Sequence, residues 1–274
     1  MSDDLTTAVV DFLWACWAEL GVPASRRYPF DVAIDVEPLI MLTRTAAGRD
    51  PRLRSNAEAW IDQHRELVSR ARLKRLASAN PVTDEAPFGG RSRIRDRVPA
   101  VADSPATLQL RVRSALGVSA RAEIVRQLLM DPVGTSRPAS DLAVLTGYSK
   151  RNVEKALESL DRSGWVRRSL GTRTTSWRLA DSNALSTLFA PIPGARASFL
   201  ILADIARGLA DLASHGTESA DVRSAMARRF VAEHAPRADL GSIDLPFAPK
   251  GADAYEALID WTRRLPSSAS RSQA

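Results

Sequence analysis

Apolar positions recur along most of this chain at the spacing of helices that bury one side. Val9, Phe12, Leu13, Cys16, Trp17 and Leu20 make one such side, and Gly21-Val22-Pro23 ends it, which predicts a helix over Leu5 to Leu20. After an irregular stretch to Asp35, a second helix begins with Glu37 and Pro38 in its first turn and stops near Gly48. Asp50-Pro51 opens a third, through Trp60 and Ile61 to about Leu67. A fourth, Ser69 to Ser78, carries Arg70, Arg72, Lys74 and Arg75 and reads as a solvated basic face, with phosphate contact as the alternative. The pattern dissolves over residues 79–106, where Pro81, Pro87, Gly89, Gly90 and Pro99 interrupt any helix and Arg91 to Arg97 is a charge run, so the segment reads as a linker.

The pattern returns with a helix over Val118 to Met130, whose Ile124, Val125, Leu128 and Leu129 face inward. A short helix, Ala139 to Thr146, is broken at Gly147-Tyr148, and a longer one runs from Lys150 to Arg162. Val153, Ala156, Leu157 and Leu160 form the buried face of that longer helix; Arg151, Lys155, Glu158 and Arg162 lie opposite, with Asn152 and Glu154 beside them. Ser149 stands where an N-cap belongs, and Gly147 suits a sharp bend because it takes positive φ cheaply. Gly164 ends the helix. Trp165 to Leu170 and Thr174 to Leu179 then read as a hairpin around Gly171-Thr172-Arg173, and Thr135-Ser136-Arg137 as a short third strand. Helices over Ala195 to Ala213, Thr217 to Ala235 and Ala252 to Leu265 follow, with Pro236 to Gly251 as a loop.

This helix, helix, helix, hairpin order, and the DLAxLTGYSxxxVxxxLxxLxxxGWV pattern followed by a basic wing, resemble the winged-helix transcription regulators of the MarR and ArsR type over roughly Leu116 to Ala180. The resemblance implies a mainly α protein: a winged helix-turn-helix of three helices and a small β-hairpin wing, flanked by N- and C-terminal all-helical regions. The expected divisions are an N-terminal helical domain at 1–78, a linker at 79–106, the winged helix at 107–180, a C-terminal helical domain at 181–266 and a disordered tail at 267–274.

Charge location sharpens the reading. The chain carries a formal net charge of +6, and the segment from Leu110 to Ala180 holds 13 Lys/Arg against 6 Asp/Glu. That segment alone is therefore +7 and the remainder −1, as contact with phosphates requires. Arg151, Asn152 and Lys155 are the candidates for base edges, since arginine and lysine suit guanine and asparagine suits adenine. Ser149, Lys150 and the first amides of the helix would grip phosphate. Arg173 would enter the minor groove from the wing, with Arg167, Arg168 and Arg178 on the backbone. Glu154 and Glu158 can instead pair with Arg151 and Lys155 and neutralise the face.

The expected partner is double-stranded DNA, bound by a homodimer in the manner of the family, with repression by promoter occlusion. A rival reading makes the winged helix a scaffold for a protein partner in a bacterial regulatory or defence operon. Other classes find little support. His64, His215 and His234 are isolated, and Asp31, Asp35 and Glu37 read as helix-start acids rather than as a catalytic or metal site. No cofactor fingerprint or catalytic motif is present, and nothing names an effector. Cys16 reads as a buried thiol, and Trp14, Trp17, Trp60 and Trp261 as core. The acidic N-terminus is not a secretory signal, and no apolar run spans a bilayer, so a cytoplasmic protein without membrane contact is expected.

Overall fold

The computed structural model describes residues 2–24, 31–46, 50–79, 103–170, 175–214, 218–246 and 253–268. These residues are mainly helical, with one small antiparallel sheet. The first helices are α1 (Ser2–Glu19), α2 (Val36–Ala46), α3 (Pro51–Gln63) and α4 (Arg70–Ala79). Next come α5 (Leu108–Leu116), α6 (Ala120–Met130), β1 (Arg137–Pro138), α7 (Ala139–Thr146), α8 (Lys150–Arg162), β2 (Val166–Leu170) and β3 (Thr175–Leu179). The last are α9 (Ser182–Leu188), α10 (Phe199–Ala213), α11 (Ala220–Leu240) and α12 (Ala254–Ser268). None of the described helices is long and apolar enough to cross a membrane.

Two apolar clusters organise the chain. The larger draws on α1, α2 and α3 and equally on α10, α11 and α12, so these helices from the two ends of the chain share one core. Phe12 stacks on Phe199 with ring centroids 6.1 Å apart, joining α1 to α10. Four tryptophans of this cluster, Trp14, Trp17, Trp60 and Trp261, are used for packing, and each of their indole N–H groups finds an acceptor. Trp17 meets Trp60 edge-on at 5.7 Å, and the two donate to Thr43 Oγ1 at 2.9 Å and the Leu20 carbonyl at 2.8 Å. Trp14 donates to Asp50 Oδ2 and Trp261 to the Asp244 carbonyl, each at 2.7 Å. Cys16 is fully buried, and burial pushes its thiol pKa up.

The second cluster joins α5, α6, α7 and α8 to the sheet, through residues such as Val112, Ile124, Leu142, Val153, Leu157 and Trp177. The strand order is β1-β3-β2, all antiparallel. Arg137 forks onto Asp131 with both contacts at 2.6 Å, which fixes the chain between α6 and β1.

Several boundaries differ from the sequence reading. The end of the supposed linker is structural: Ala106 is buried, and its carbonyl accepts from the Ile34 amide at 2.8 Å. Residues 80–102 lie outside the described residues. Leu108 to Leu116, ahead of the helix expected from Val118, forms a helix of its own, α5, which ends at Gly117 with φ 71°. Helix α10 starts at Phe199 rather than at Ala195. Pro236, expected to open a loop, lies inside α11, which continues to Leu240. Proline cannot donate to the Ala232 carbonyl, but both residues are exposed, so water can satisfy that carbonyl.

Between the two clusters lies a buried ionic network. Asp35, Glu37 and Glu123 meet Arg72, Arg113 and Arg126, and all six are buried. Arg72 pairs with Asp35 through both terminal nitrogens and donates to Glu37 Oε2 at 2.7 Å. Arg113 grips both oxygens of Glu37, at 2.8 and 2.7 Å, and Glu123 Oε1 at 2.6 Å. Arg126 donates to Glu123 at 2.9 Å and reaches Asp35 at 3.4 Å. Gln109 donates to Asp35 and Glu123 and accepts from the Val36 amide at 2.9 Å. Charges balance three to three, the condition under which buried ions are tolerated. Burial alone would raise both pKa values. The facing guanidiniums, Arg72 foremost for Asp35 and Arg113 for Glu123, hold both carboxylates below their ordinary range.

Two expectations are refined here. Glu37 stands in the first turn of α2 with Asp35 just before it, as expected, but their side chains pair with distant arginines. Helix α4 is not simply a solvated face, because Arg72 is buried.

Candidate nucleic-acid interface

The turn between α7 and α8 is set by local sequence and then clamped from outside. Gly147 adopts φ 70°, and its amide returns to the Ala143 carbonyl, a left-handed helix stop. A Cβ there would lie 3.2 Å from both Leu76 and Leu200, so the position is tight as well as left-handed. Ser149 caps α8, its hydroxyl accepting from the Asn152 amide at 3.3 Å. From α4, Arg72 donates through Nε to the Thr146 carbonyl at 2.7 Å, at the negative end of α7. Its guanidinium also lies 5.8 Å from the centre of the Tyr148 ring. Sequence reasoning missed Arg72, Leu76, Tyr148 and Leu200 as supports of this turn.

Helix α8 buries Val153, Ala156, Leu157 and Leu160 and turns Lys150, Arg151, Asn152 and Lys155 to solvent. The alternative neutralising pairs, Arg151 with Glu154 and Lys155 with Glu158, are not formed. Glu154 instead meets Lys150 at 3.8 Å, and both side chains are at least half exposed. Such a pair is worth little in water. Arg151, Lys155 and Arg162 make no ion pair among the described residues.

The hairpin divides its arginines. Arg167 and Arg178 stand directly opposite each other across β2 and β3, both exposed. Like charges in register repel, and nothing acidic is paired with them among the described residues. Arg168 points to the other face, as alternation along a strand demands, and covers the Trp177 ring at 5.0 Å. It therefore lies over the Trp177 ring on the other face of the hairpin from Arg167 and Arg178, while remaining exposed itself. Arg173 lies in residues 171–174, outside the described residues.

Of the 13 cations between Leu110 and Ala180, Arg113 and Arg126 belong to the buried network and add nothing to the surface. Among the described residues no His, Cys, Asp or Glu cluster is arranged to hold a metal ion. His64 packs tilted against Trp60 at 4.7 Å, and His234 stacks on Phe230 at 4.1 Å.

Comparison with protein-family models, with curated proteins and with solved structures finds no match to this chain.

Proposed function

We propose that α6, α7, α8 and the hairpin form a winged helix-turn-helix that binds double-stranded DNA, and that the chain is a sequence-selective regulator repressing by promoter occlusion. The observation that carries the reading is the outward ridge of α8. Lys150, Arg151, Asn152 and Lys155 are exposed together on a helix whose other face is fully used by the core. A helix of this kind can lie in the major groove with Arg151, Asn152 and Lys155 toward base edges and Ser149 and Lys150 toward phosphate. Arg167 and Arg178, held opposite one another without a carboxylate, suit a backbone phosphate beside that groove. Arg168 has a packing role in this reading, and Arg173 is retained as the wing-tip contact.

Two copies on a palindromic site complete the proposal, since one such module reads few base pairs. Fluorescence anisotropy with a selected duplex tests it. Arg151→Ala with Lys155→Ala should weaken specific binding by about 2–6 kcal/mol, at roughly 1–3 kcal/mol for each good base contact. Unchanged affinity in the double variant would remove α8 from the interface.

A further inference from the structure

Helix α4 lies outside the α6-to-hairpin unit, yet it touches the turn that launches α8. Arg72 binds the Thr146 carbonyl and covers Tyr148, and Leu76 closes on Gly147. Successive residues turn by about 100°, so Arg72 and Leu76 share one side of α4 while Leu73 packs on the larger core. The remaining arc carries Arg70, Lys74 and Arg75, all exposed and without an ion pair among the described residues.

Several cations elsewhere on the helical bundle are accompanied by nearby carboxylates, although Arg228, also exposed, donates to the Ser224 hydroxyl instead. Arg54 has Glu58, Arg65 has Asp62, Arg229 has Glu233 and Arg263 has Asp4. Helix α4, RARLKRLASA, contains no acidic residue at all. A helix face kept only for solubility gains from mixed signs; one kept for phosphate does not.

We infer that α4 is a second phosphate-contact element, with Arg70, Lys74 and Arg75 gripping the DNA backbone next to the start of α8. The inference rests on the DNA-binding reading above and extends its footprint beyond the winged helix. Arg72 thereby has two linked duties: it fixes the turn, and it orients the helix that carries the outer cations. Contacts of this kind add affinity without base preference.

The test is the salt dependence of binding to a random-sequence duplex, using the full chain. Each phosphate contact contributes about 0.9 to the slope of log K against log salt. Replacing Arg70, Lys74 and Arg75 together by Gln should flatten the slope by about 2–3, and Lys74→Gln alone by about 1. Between 50 and 200 mM salt, wild type should then lose about 40-fold more affinity than the triple variant if all three contacts are made. Preference for a selected site over random duplex should persist. Arg228→Gln with Arg229→Gln, on α11, removes charge elsewhere and should change the slope by less than 1.

Wild-type binding with an unchanged slope in the α4 variants overturns the α4 contact and leaves the α8 reading standing. Equal flattening by the α4 and α11 variants reduces the effect to bulk charge and overturns it too. Absence of any wild-type binding at low salt overturns both readings.

Discussion

Replacing Arg72 by Met isolates the network that joins the helical bundle to the proposed DNA-binding unit. Methionine keeps much of the side-chain volume, so the loss is mainly electrostatic. Asp35 loses its two-pronged partner, Glu37 loses one contact, and the Thr146 carbonyl loses its donor. Removing one member of a buried ion pair costs about 3–5 kcal/mol, because the other charge stays buried without compensation. For a chain of 274 residues with an unfolding entropy of about 2.1 cal/mol/K per residue, that lowers Tm by roughly 5–9 °C.

Adding Asp35→Asn to Arg72→Met leaves Glu37 and Glu123 facing Arg113 and Arg126, a balanced set. The double variant should therefore be more stable than the sum of the single changes implies, by about 1–3 kcal/mol. Urea unfolding of the four proteins gives the cycle directly. An Arg72→Met cost below about 1 kcal/mol, together with additive changes, would refute a network held by charge balance.

The same network fixes a pH dependence. Asp35 and Glu123 have folded pKa values below their ordinary ones. Their contribution is complete above the unfolded carboxylate range, about pH 4, and is lost as pH falls through the lower folded values. Stability should drop steeply on the acid side of pH 4, and in Arg72→Met the decline should begin at higher pH. Denaturant titrations at a series of pH values test the order of the two curves.

Local changes should separate turn geometry from wing charge. Gly147→Ala puts a Cβ on a residue at φ 70° and within 3.2 Å of Leu76 and Leu200, so it should destabilise by at least about 1–2 kcal/mol in urea unfolding. Arg168→Ala should lose about 0.5–1 kcal/mol through its contact with Trp177. Arg167→Ala should instead gain a few tenths of a kcal/mol, because it relieves repulsion with Arg178. It should also weaken DNA binding, so opposite signs for the two neighbouring arginines are the diagnostic result.

What sequence made legible was local. The stripe Val153, Ala156, Leu157 and Leu160, the Ser149 cap and the Gly147 stop need only neighbouring residues to specify them, and all appear where expected. The buried network joins positions dozens of residues apart, Asp35 to Arg126 being the extreme, so no window along the chain contains it. One signal was present. Helix α6 is apolar around much of its circumference, so Glu123, Arg126 and Gln127 had little solvent-facing side to occupy. Buried charges on such a helix must find partners, and those partners lay on α4, α5 and the start of α2. In α4, similarly, identical arginines divide between interior and surface only when the helix meets Thr146 and Tyr148. The split of Arg167 from Arg168 followed from strand alternation and was available once the register was known.

Selection of bound sequences from a random duplex library, with wild type and the Arg151→Ala, Lys155→Ala variant side by side, tests the central claim most directly. The account requires wild type to enrich a short motif and the variant to lose that enrichment while keeping salt-sensitive binding. Enrichment of no motif by wild type, or of the same motif to the same degree by both proteins, would contradict it.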